Sequence, residues 1–181
     1  MRGWLFAFVA LQIAAVGLLA RAAPVLGMHL AGQAWDKLQL SAPYLSQAGD
    51  LCAGLLGGAM IGVAQWLPLR RYAVRARWLV FPLAGGVLVA AAGLWWPPLT
   101  LLAAPIAGGL GGRAQLKLLP RVDQGWPKAQ ALAASWVALA LLMPFPPWAS
   151  AAFILGAALL SAAGIRRTLP RSPAAAPARQ R

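Results

Sequence analysis

The sequence predicts an all-α integral membrane protein of about six transmembrane helices, built as parallel helical-hairpin repeats with both termini cytoplasmic. Three observations carry this. The 181 residues are 61% hydrophobic and 10% charged, whereas soluble domains average about 45–50% and about 25%. A soluble chain of this size cannot bury so much apolar surface. Apolar runs near the length that crosses about 30 Å of hydrocarbon alternate with short connections. Those connections are alternately rich and poor in Lys and Arg.

The first span is expected at about 3–20, an apolar run behind Arg2. A cleaved signal peptide is the competing reading, since Ala20-Arg21-Ala22 approximates a small-x-small site. The arginine inside that site and the length of the run favour an uncleaved span. Residues 21–49 hold Pro24, His29, Asp36, Lys37, Pro43 and several glutamines, and read as an extracytoplasmic loop. Leu30, Ala34, Leu38 and Leu45 suggest a short surface helix within it, and Trp35 and Tyr44 suit the headgroup level.

The second span is expected at 50–69, with Pro68 at its end, where a lost hydrogen bond matters least. Arg70, Arg71, Arg75 and Arg77 follow as a basic loop. The third span, 78–96, ends in Trp95-Trp96-Pro97-Pro98, an interfacial turn where proline forbids continuous helix. The fourth, 99–119, carries Arg113 and Lys117 in its last turns, where long side chains reach the headgroups. The fifth is 129–143, and the sixth is 149–165, after Pro144-Phe145-Pro146-Pro147. Residues 166–181 form a basic tail with too little apolar surface to fold, expected to be disordered in the cytoplasm. With six spans and the amino terminus inside, all of the 16 Lys and Arg except Arg21 and Lys37 fall on the cytoplasmic side.

An internal repeat strengthens this reading. Aligning 58–71 with 108–121 pairs Gly58 with Gly108, Gly62 with Gly112, Ala64 with Ala114, Gln65 with Gln115, Leu69 with Leu119 and Arg71 with Arg121. Spans two, four and six become versions of one element running outward to inward. Spans one, three and five become their partners. A pseudo-threefold set of hairpins and a twofold core with a divergent first hairpin both stay open. Gly54, Gly58, Gly62, Gly108 and Gly112 are expected packing positions, because a helix face without side chains lets another backbone dock closely. Packing within the bundle is favoured over a dimerisation face. Gln65 and Gln115 are expected to bond neighbouring helices, and Trp66, Trp78 and Trp126 to sit in the interfacial belt. Arg70, Arg71, Arg75, Arg77, Arg121, Arg166 and Arg167 set topology and face lipid headgroups, anionic ones above all.

The unit Gly58-x-x-x-Gly62-x-x-Gln65-Trp66-Leu67-x-Leu69-Arg70-Arg71, followed by Trp78, resembles a signature of uncharacterised small bacterial polytopic membrane proteins in which it repeats. The second copy departs from it at Leu116, Lys117 and Pro120. The resemblance implies architecture and carries no activity.

The net charge of +13 belongs to span ends and not to nucleic acid. One cysteine, Cys52, and one histidine, His29, exclude a disulfide framework and a thiolate cluster. Acid–base chemistry needs a positioned titratable group, and His29 with Asp36 is the only pair within sequence reach. These read as solvated loop residues, so neither enzyme activity nor a cofactor is expected. The expected role is a structural, accessory or partner-binding component of a bacterial inner membrane, self-associating or bound to another membrane protein. The alternative is a small transporter or channel for a neutral or lipophilic solute.

Overall fold

The computed structural model describes residues 3–38, 45–72, 74–119 and 123–169, with backbone alone at 18–21, 23 and 34–38. Arg121, the connection at 39–44 and the tail beyond 169 lie outside the described residues. Among the described residues the chain is all helical: α1 (Gly3–Leu38), α2 (Leu45–Leu69), α3 (Val80–Trp95), α4 (Leu99–Leu116), α5 (Gly125–Leu142) and α6 (Pro147–Thr168). Two short 3-10 turns, Arg70–Tyr72 and Ala76–Leu79, join α2 to α3.

Leu45–Tyr72, Ala76–Trp95 and Pro147–Thr168 are long and apolar enough to cross a membrane. The helices α4 and α5 have 18 residues each, about 27 Å at 1.5 Å per residue.

Several boundaries differ from the sequence reading. The second helix starts at Leu45, inside the expected 21–49 loop, and the sixth runs to Thr168, so Arg166 and Arg167 are helical and not the start of a disordered tail. The first helix does not stop near Ala20 but runs 36 residues to Leu38, with Pro24 inside it. The polar residues past Arg21 are mostly helix formers, and α2 supports this stretch. A Cβ placed on Gly27 would lie 2.6 Å from the Gly49 carbonyl oxygen, so the two backbones touch there. The fifth helix starts at Gly125, inside the expected loop. Asp123 makes the start: its Oδ1 accepts the Gly125 N–H at 2.8 Å, and Pro127 falls in the first turn, where its missing donor costs least.

Each helix packs on its chain neighbours, and α1 meets α6, closing a ring of six. Successive helices run antiparallel, so Arg70, Arg71, Arg166 and Arg167 gather at one end of the ring. Asp50, Pro97 and Pro146 lie at the far end. Large apolar residues such as Leu55, Leu88, Leu102, Leu110 and Leu159 face outward. Trp95 and Trp148 are exposed at the far end.

The close approaches follow the glycines. A Cβ on Gly58 would collide with the Pro82 carbonyl, and one on Gly54 would lie 2.6 Å from the Gly86 oxygen, both on α3. One on Gly108 would lie 2.5 Å from the Gln130 oxygen on α5. Gly62 and Gly112 face Pro82 and Pro127, one turn nearer the arginine end.

Candidate functional site: a central cavity with a glutamine floor

The ring encloses a cavity of about 530 Å³ lined from all six helices, within the range of about 300–1,000 Å³ typical of ligand sites. Helical periodicity explains how α3 contributes. Phe81, Gly85, Val89 and Gly93 recur every fourth residue on one stripe, which turns one face inward. No residue of α3 is fully buried, because one face looks into the cavity and the other outward. Most wall residues are Gly, Ala, Val, Leu or Ile. The cavity extends from Gln65 to Asp50 along α2, about 22 Å by helical rise.

The arginine end is sealed. Trp4, Phe8, Leu69, Tyr72, Trp78 and Trp126 belong to one buried cluster with residues of α4 and α6. The Trp78 and Trp126 rings lie 5.7 Å apart, tilted by 40°. Trp4 meets Tyr72 edge-on at 5.9 Å, and the Arg71 guanidinium sits over both rings.

Above this plug lies a layer of amides. Trp78 Nε1 donates to Gln65 Oε1 at 3.3 Å, and Gln65 Nε2 donates to Gln130 Oε1 at 3.2 Å. Gln130 Nε2 donates to Ser161 Oγ at 3.1 Å. Trp126 Nε1 donates to Gln115 Oε1 at 3.2 Å. All four polar residues, Gln65, Gln115, Gln130 and Ser161, are buried and line the cavity. Such bonds satisfy amides that would otherwise be desolvated at a cost of roughly 1–3 kcal/mol each.

Gln12 also lines the cavity and is buried, but its Nε2 has no hydrogen-bond partner. It stands eight residues beyond Trp4, whereas Gln130 stands four beyond Trp126. Both tryptophans belong to the plug, so Gln12 lies about one turn, roughly 6 Å, above the floor.

The structure thus brings Gln65 together with Trp78 and Gln130, and Gln115 with Trp126. Gln65 and Gln115 share the floor without bonding one another. The belt assignment of Trp78 and Trp126 is corrected: both rings are fully buried, because their N–H groups find acceptors inside the ring. Trp66 is half-buried and donates to the Val74 carbonyl at 3.0 Å, pinning the α2–α3 connection. His29 pairs with Gln33 on exposed helix at 3.0 Å, away from the cavity lining; the Asp36 side chain lies outside the described residues. Arg70, Arg71, Arg166 and Arg167 are exposed around the plug. Sequence reasoning passed over Gln12 and Gln130. The available signal was an amide inside an apolar run, which must find a partner or a polar cavity. No family model, curated protein or solved structure matches the chain.

Proposed function

We propose that the chain is a six-span protein of a bacterial inner membrane, with both termini cytoplasmic, that holds a neutral lipophilic solute in its central cavity. The observation that carries this is the cavity itself: apolar walls from six helices, a polar floor, and a closed arginine end. Membrane orientation follows from the basic residues, which place the plug at the cytoplasmic face. Arg70, Arg71, Arg166 and Arg167 then face anionic headgroups there. The plug makes the protein a holder or a gated carrier and not an open pore. Chemistry on the solute is not part of this reading, because among the described residues the depth of the cavity offers amides and hydroxyls and no titratable group.

The glycine faces do not favour an accessory role, because Gly54, Gly58, Gly108 and Gly112 already meet helices of the same chain.

The test is native mass spectrometry of protein released from lipid nanodiscs, beside the cavity-filling variants Gly85→Leu and Gly111→Leu. A Cβ at either position meets only ordinary contacts, at 3.6 Å and 3.8 Å. A retained neutral adduct that both variants reduce severalfold is the expected result. An adduct pattern identical in all three proteins would overturn the reading.

A further inference from the structure

Resting on that reading, we infer the class of solute: a neutral lipid whose head carries a carbonyl oxygen, which accepts a hydrogen bond from Gln12. Gln12 as a residue is 7% exposed and lines the cavity, while its Nε2, with less than 1 Å² accessible, has no partner. Buried polar groups in folded proteins are overwhelmingly paired, so an orphan donor held just behind a cavity wall gains a bond when its side chain turns toward an acceptor in the cavity. Gln65 and Gln130 differ from it, since their amide nitrogens are already engaged by Gln130 and Ser161.

The repeat isolates Gln12 further. Trp4, Trp78 and Trp126 lead α1, α3 and α5. Eight residues beyond each stand Gln12, Gly86 and Ala134, all on the cavity wall. Gly86 and Ala134 pack at the close contacts with Gly54 and Gly108, so among these three positions only that of Gln12 carries a polar side chain.

Charge selects the head. Among the described residues no Lys or Arg lines the cavity, and Asp50 stands at its far end. A carboxylate or phosphate would be buried there without a counter-charge. A neutral carbonyl needs only the one donor that Gln12 offers. The lipid lies head toward the plug, with its chain along Val89, Leu94, Val137 and Leu141 for about 16 Å. A quinone ring and an acyl ester both supply this oxygen.

Equilibrium dialysis of the detergent-solubilised protein against empty micelles separates the cases, with decyl-benzoquinone, monododecanoylglycerol and dodecane as probes. We expect at least one carbonyl probe to bind about tenfold tighter than dodecane. Which of the two binds identifies the source of the carbonyl. Gln12→Met and Gln12→Leu are expected to erase that preference, leave dodecane binding intact, and keep or raise the melting temperature of the empty protein. A packing role for Gln12 would instead lower the melting temperature. Equal binding of carbonyl probes and dodecane by the native protein, or a preference that survives both variants, would overturn the inference while leaving the cavity reading in place. Failure of every probe to bind saturably would sink the cavity reading with it.

Discussion

The two copies of the glycine–glutamine unit pack alike and bond differently. In the first, α2 lays Gly58 against Pro82 of α3, and Gln65 accepts from Trp78. In the second, α4 lays Gly108 against Gln130 of α5, and Gln115 accepts from Trp126. The corresponding contacts are offset by 50 residues on the even helices and 48 on the odd ones. Only Gln65 continues the chain of donors, to Gln130 and on to Ser161 of α6. The glycine contact builds each clasp between an even helix and the next odd one. The first glutamine alone reaches across the ring and ties α2 to α5 and α6.

The glycine contacts are where this comparison breaks first. Gly58→Ile and Gly108→Ile both drive a branched side chain into a neighbouring carbonyl, so each should cost about 3 kcal/mol or more. Thermal unfolding in detergent measures it. One variant near native stability would show that the copies are not packed alike.

A smaller effect separates the glutamines. Gln65→Leu strands both the Trp78 N–H and the Gln130 oxygen, whereas Gln115→Leu strands the Trp126 N–H alone. We expect about 2–3 kcal/mol against about 1 kcal/mol. Equal losses would mean that the cross-ring bond contributes nothing.

The smallest concerns Trp66, whose counterpart in the second copy is Leu116. Its indole N–H donates to the Val74 carbonyl, so Trp66→Phe should cost about 0.5–1.5 kcal/mol. Hydrogen exchange at residues 74–79 should rise with it. Unchanged exchange would remove the indole from the account of that connection.

How much of this the sequence shows depends on whether a feature is local. Glycines every fourth residue from Gly54 and the Gln65–Gln115 correspondence are visible in the chain alone, because they are patterns of spacing. The partners of those residues are not, since Gly58 meets Pro82 only once α2 and α3 fold back on each other. Trp78 and Trp126 read as belt residues because they begin apolar runs, and only the ring's inner acceptors pull them inside. The first helix reads as ending early because Pro24 and the polar residues after Arg21 imitate a loop. Ring closure by α1 and α6, and hence the cavity, joins residues more than 140 positions apart, beyond any spacing argument. Gln12 was legible as an anomaly, an amide in an apolar run, though its missing partner was not.

The central claim is that a lipid chain sits inside the ring as well as around it. Photo-crosslinking with a neutral lipid carrying a diazirine on its chain tests this most directly, read by peptide mapping of α3 and α4. We expect labels at inward positions such as Gly85, Val89 and Ala107, saturating at low probe, beside unsaturable labelling of outward Leu88 and Leu102. Labels confined to Leu88, Leu102 and their outward neighbours would contradict it.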